Sequence, residues 1–171
     1  IEKGILQDGL DLAVIEGIPH SEYLTCKPLM DDQMIPVGSP EVYPGRMSLS
    51  QLLECPLLLR ERGSGAREIL EHALGARGYK AEATWESSSV EALKMAAQEG
   101  IGIAFLPERL VETEIQQGTL RRIRVPDFVL HRTIHMIHHR SKYISQGMEQ
   151  CMRLIEDAFE RKPANKKSSV F

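Results

Sequence analysis

The sequence predicts an α/β fold built around a largely parallel sheet. Three observations carry that expectation. Short apolar runs alternate with amphipathic stretches through the middle of the chain. Glycine, proline and serine stand at the joints between them. The run from Pro56 to Arg67 reads as a buried strand, a tight glycine turn and the start of a helix, the unit from which parallel sheets are made.

The elements follow in order. Residues 2–8 suit a helix closed by Gly9 at the C′ position. Leu10–Ile15 is a strand whose near-continuous apolar run suggests cover on both faces. Thr25–Leu29 and Met34–Val37 are two further short strands, and Gly38-Ser39-Pro40 with Tyr43-Pro44-Gly45 then breaks the chain. Ser48 caps a short helix over 49–54. Pro56–Arg60 is a strand, and a helix runs from Ala66 to Arg77, where Gly78 stops it. Ala83–Trp85 is a strand. Ser87-Ser88-Ser89 opens a helix that ends at Gly100, with Glu91 in its first turn, where negative charge is favoured. Ile101–Leu106 is a strand, and Pro107 suits the first position of the next helix. Leu120–Val125 and Val129–His138 are strands. Ser145 caps a last helix reaching about Glu160, and Pro163–Phe171 is a polar, aperiodic tail.

Composition narrows the class. With 171 residues, 42% hydrophobic and 26% charged, the chain suits a soluble globular protein of one domain or two small lobes. A net charge of −3 supplies no global basic field to draw it onto DNA or an anionic membrane. No run approaches the ~20 apolar residues of a membrane span, and the N-terminus has no signal-peptide core. Cys26, Cys55 and Cys151 are odd in number and widely spaced, which points to a reducing cytoplasm rather than a disulfide framework.

Four stretches can carry chemistry. In Arg60–Arg67, a helix start offers amides without intrahelical partners and the positive end of a dipole. Glycines there admit a close ligand. The Ser64 hydroxyl, the Gly65 amide and the Arg67 guanidinium can serve an anion such as carboxylate, sulfate or phosphate. The same residues equally suit a plain turn with Ser64 as helix cap. Neither a Walker A ending nor a third glycine of a dinucleotide fingerprint is present. Glu16-Gly17 ends the first strand, where α/β sheets gather ligands, although an exposed turn residue has the same appearance. Ser88 lies at another strand-to-helix junction, where capping is the alternative role. His131, His135, His138 and His139 invite a metal reading, but on a strand residues four apart are too widely spread to converge. Structural histidines are the expectation, with no metal, no cofactor and no catalytic set.

Taken together, several stretches resemble the effector-binding domain of LysR-type transcriptional regulators. They are Gly9-Leu10-Asp11-Leu12-Ala13-Val14-Ile15-Glu16-Gly17; Pro56–Glu61 with Gly63-Ser64-Gly65-Ala66-Arg67; Ser89-Val90-Glu91-Ala92-Leu93-Lys94; Gly100–Pro107; Gly118-Thr119-Leu120; and His139–Ser145. They fall in family order over about 145 residues. Ala66 replaces the family's usual threonine.

The resemblance implies a two-lobed fold of the type II periplasmic-binding-protein kind, with two crossing hinge strands near Ile35–Ser39 and Phe128–Arg132. Residues 1–38 with 130–160 would form the first lobe, 39–129 the second, and 161–171 a mobile tail. A small, anionic effector would lie in the interlobe cleft, touched by Ser64, Gly65, Arg67, Glu16, Gly17 and Ser88. Other members often carry a hydroxyl residue at the position of Glu16. The strand, helix and strand that open such domains have no counterpart here, nor does the winged helix-turn-helix that reads DNA. The chain is therefore expected to be a fragment with an incomplete first lobe. The full-length protein is expected to be a cytoplasmic homodimer or homotetramer that is not an enzyme and meets no membrane. A transporter's solute-binding protein and an α/β enzyme acting on an anionic substrate are the alternatives.

Overall fold

The computed structural model describes residues 1–17 and 19–160. The chain forms two compact units, one of Ile1–Asp31 with the residues from Thr133 onward, the other of Asp32–Arg132. Two strands run from one unit into the other, β2 (Leu24–Gly38) and β7 (Leu130–His139). The divisions fall at 31/32 and 132/133, where the sequence placed them near 38 and 130.

The Asp32–Arg132 unit is organised around β3 (Leu57–Arg60), which pairs in parallel with β4 (Trp85–Ser87) on one side and β5 (Ile103–Pro107) on the other. Side chains alternate along a strand, so β3 feeds two cores. Leu57 and Leu59 pack with Leu70 and Leu74 of α3 (Gly65–Gly75). Leu58 packs with Leu93 and Ala97 of α4 (Val90–Gln98). All three leucines of β3 are at most 1% exposed. The end of β2 adds to β5 in antiparallel register, Met34 opposite Pro107 and Val37 opposite Ala104. The short β6 (Arg121–Arg122) pairs antiparallel with β2. Two more helices complete the unit, α2 (Leu49–Glu54), with Ser48 and Gln51 in a capping box, and α5 (Glu108–Gln117). The Arg132 guanidinium donates twice to Asp32 Oδ2, at 2.9 and 3.2 Å, and both side chains are nearly sealed from solvent.

The other unit holds β1 (Ala13–Glu16), antiparallel to β7, with α1 (Glu2–Leu6) and α6 (Gln146–Glu160). Ile5, Leu24 and Ile137 form its small core, flanked by Ala13 and Ile15. Lys27 of β2 pairs with Glu156 of α6 at 2.6 Å.

Several sequence expectations need correction. Among the described residues β3 pairs in parallel with β4 and β5, whereas β1 pairs antiparallel with β7, and β2 antiparallel with β5 and β6. An apolar run reports burial, not strand direction. The two strands expected over 25–37 are one strand of 15 residues, whose Asp31 and Asp32 accept from Thr133 and Arg132. All four residues of β1 are half-buried rather than covered on both faces. The left-handed residue after α1 is Asp8, at φ 56°, not Gly9; aspartate tolerates that region better than most residues. Pro107 ends β5 and is the N-cap of α5 instead of its first helical residue. The strand seen over 120–125 shrinks to two residues, and β4 starts at Trp85. The tail over 161–171 lies outside the described residues.

Two stability predictions follow from this packing. A Cβ at Gly102 would sit 2.5 Å from the Pro56 carbonyl oxygen and 2.9 Å from Leu58 Cγ, and that carbonyl already accepts the Ile103 amide. Gly102→Ala should therefore cost ~1–3 kcal/mol as overpacking does, read as a lower urea midpoint; an unchanged midpoint contradicts the fit. The second concerns Lys94 of α4, 2.5 Å from Glu114 of α5. Burial pushes the Glu114 carboxyl up, but the Lys94 ammonium outweighs it and holds the group below its ordinary value. Stability from this pair is thus complete above the unfolded-state carboxylate pKa and is lost as pH falls through the lower folded value. Glu114→Gln should flatten the acid limb of stability against pH.

Candidate functional site

The most chemically suggestive geometry lies where β3 and β4 end. The strands are parallel, with Arg60 opposite Ser87 in register, so both chains leave the sheet on the same edge. Beyond β3 the chain turns through Gly63, at φ +86°, a conformation that favours glycine. Ser64 follows in extended conformation as the N-cap of α3, its Oγ accepting from the Arg67 amide at 3.2 Å. Beyond β4, the Ser87 Oγ accepts from the Ser89 amide at 3.1 Å, and Ser89 caps α4 by accepting from Ala92 at 3.2 Å.

Two helices therefore begin beyond the same end of the sheet. They pack on opposite faces of the same strands, because α3 covers Leu57 and Leu59 while α4 covers Leu58. Each start carries the partial positive charge of a helix N-terminus. The Gly65 and Ala66 amides occupy the first two helical positions and have no carbonyl one turn back to bond. A capping serine accepts through its oxygen and keeps its own proton to donate. Capping and anion binding, set against each other by the sequence, are thus compatible at Ser64. Arg60 clamps Glu61 in a two-point pair at 2.9 and 3.1 Å, and its guanidinium holds the Glu61 carboxyl below the ordinary value.

Ser64, Gly65, Arg67 and Ser88 all belong to this unit. Ser88 is exposed, and Ser64 and Gly65 are half-buried. Arg67 differs: its side chain is 2% exposed and lies against Glu71 and Glu86. Glu16 and Gly17 belong to the other unit. Glu16 ends β1, and Gly17 stands at φ +82° with its amide donating to the Thr133 carbonyl at 3.0 Å.

Two arrangements escaped the sequence reading. His135 is 9% exposed and its Nδ1 lies 2.7 Å from the Gly17 carbonyl. A carbonyl only accepts, so Nδ1 carries the proton and fixes the Gly17 turn. The Asp32–Arg132 pair is the other. Burial of each charge calls for a partner, but the two lie 100 residues apart in the sequence. Of the other histidines of β7, His138 contacts the His139 carbonyl and His139 accepts from the Ser141 amide. Among the described residues no three His, Cys, Asp or Glu side chains are grouped to hold a metal ion.

This architecture is that of a type II periplasmic-binding-like α/β domain, as likeness to solved structures bears out. The regulatory domain of CcmR from Synechocystis PCC6803, solved in complex with 2-PG, superposes with a TM-score of 0.79 at 19% identity, covering 95% of this chain and 80% of that one. The bromide ion-bound regulatory domain of HypT from Salmonella typhimurium gives a TM-score of 0.75 at 22% identity, covering 92% and 76%. Among curated proteins, the HTH-type transcriptional regulator YeiE of Escherichia coli (strain K12) is 34% identical over 160 residues, covering 92% of this chain and 55% of that protein. The model of the LysR substrate binding domain matches residues 2–160. The chain belongs to the LysR substrate-binding domain family, as its motifs suggested. It spans about half the length of the curated relatives it matches. These matches support the regulator family over a solute-binding protein or an enzyme.

Ser64→Ala removes the cap of α3 and should lower stability by ~0.5–2 kcal/mol. Denaturant unfolding checks this, and a variant as stable as the parent would show that the cap is not holding the turn.

Proposed function

We propose that this chain is the effector-sensing part of a LysR-type transcriptional regulator and that its effector is a small anion held at the start of α3. The observation that carries the reading is the pair of serine-capped helix starts, at Ser64 and Ser89, beyond adjacent parallel strands. Ser64, Gly65 and Ser88 supply hydroxyl and amide donors there. A bromide ion in one solved neighbour and 2-PG in another are in keeping with it. In the full-length protein, a cytoplasmic homo-oligomer in this reading, DNA is read by a helix-turn-helix segment outside these residues. The effector acts by binding one conformation of the protein better than another.

Magnitudes limit what this helix start does alone. The dipole contributes ~0.3–1 kcal/mol, up to ~2 in a sheltered site. A serine hydrogen bond adds ~0.5–1.5 kcal/mol. The sum corresponds to roughly millimolar affinity, so further contacts set the affinity and the identity of the anion.

Calorimetry with sulfate, phosphate and small carboxylates tests the site. Ser64→Ala should weaken binding by up to about tenfold, one hydrogen bond's worth. Ser64→Asp keeps a good helix cap but sets a like charge against the anion, so it should fold and fail to bind. Unchanged affinity in Ser64→Asp refutes the site.

A further inference from the structure

Arg67 sits three residues into the anion-compatible helix start, yet its guanidinium is engaged elsewhere. Its Nε donates to Glu71 Oε1 at 2.5 Å, one turn along α3. Its Nη2 reaches the Ala81 carbonyl at 3.5 Å, in the connection to β4. Its Nη1 is buried without a hydrogen-bond partner and lies 3.7 Å from Glu86 Oε1, in the middle of β4. A guanidinium keeps its charge when buried, so carboxylates must come to it. Glu71 lies on the same helix and constrains nothing beyond it. Glu86 lies on another strand, one residue before Ser87, whose hydroxyl accepts from the amide of the α4 cap Ser89. The buried charge of Arg67 thereby ties the end of β4 to the first turn of α3.

We propose that Arg67 is a positioning residue of the anion site: through Glu86 it holds the Ser87–Ser89 segment in place at the end of β4, and it does not touch the bound anion. The proposal rests on the anion-site reading. It reverses the expectation that Arg67 is itself a ligand contact, and the two roles differ in sign at Glu86. If Arg67 met the anion, Glu86 would compete for it, and Glu86→Gln would tighten binding. If Arg67 positions β4, Glu86→Gln releases the strand end and weakens binding.

The test uses Glu86→Gln as its main variant, because Glu86 is exposed and its neutral replacement keeps the shape. Arg67→Lys and the double variant accompany it. Trp85, the single tryptophan of the chain and the neighbour of Glu86, reports the position of β4 by its fluorescence. Hydrogen exchange at the Ser87, Ser88 and Ser89 amides reports it independently, and calorimetry with inorganic phosphate reads the site. Glu86→Gln should shift Trp85 emission, speed exchange at the three serines and weaken phosphate binding by about threefold to thirtyfold, with the double variant no weaker than Arg67→Lys alone, as for residues acting through one contact. Tighter phosphate binding in Glu86→Gln, or Trp85 emission and serine exchange identical to the parent, overturns the proposal. A parent protein that binds no phosphate counts against the anion reading for that ion, while emission and exchange still decide what Arg67 holds.

Discussion

Burial of β3 on both faces is the constraint from which the Asp32–Arg132 unit is built. Leu57 and Leu59 turn to one core and Leu58 to the other, so the strand needs a helix on each side. A full side chain of this kind gains ~1.5–3 kcal/mol on leaving water, and β3 makes three such transfers within four residues. The same requirement explains Gly102, just before β5, where the chain passes so close to the Pro56 carbonyl that an added Cβ would sit 2.5 Å from its oxygen. It also explains why α3 and α4 start on the same edge of the sheet: both follow parallel strands that end level with one another.

Function in this reading is a by-product of that packing. Helices that follow neighbouring parallel strands begin beyond the same end of those strands, and N-termini favour anions. Serine caps at Ser64 and Ser89 stabilise the helix starts, and each keeps a hydroxyl proton to donate. Stability and recognition draw on the same few residues here, with separable signatures, since an aspartate can replace the cap but not the site. The buried Arg67 extends the coupling in the same reading, because its unexposed charge lies 3.7 Å from Glu86 on β4, the strand paired with β3.

Much of this was legible in the residues. Ser48, Ser64, Ser89 and Ser145 all cap the helices assigned to them or to the serine cluster, because capping is a local signal. The β3 core was legible because three leucines in a row leave no polar face. What the sequence concealed was non-local. Nothing near Asp32 announces that Arg132, 100 residues away, neutralises it, so one long strand looked like two short ones. Strand direction was hidden for the same reason, since pairing partners lie far along the chain. At the candidate site, the Ser64 turn was legible from its glycines. The burial of Arg67 was not, because an arginine near a helix start reads as a free charge until Glu71, Ala81 and Glu86 are seen around it. His135 read as one of four structural or surface histidines, and its contact with the Gly17 carbonyl was not legible.

The central claim is that an anion binds at the paired starts of α3 and α4. Backbone amide NMR during titration with sulfate, phosphate and small carboxylates tests it most directly. The account predicts that one or more of these anions shifts the Gly65 and Ala66 amides saturably, with smaller shifts at Ser87–Val90, while amides at the far end of α3 stay in place. Saturable shifts confined to other parts of the chain, with Gly65 and Ala66 unmoved, would contradict it.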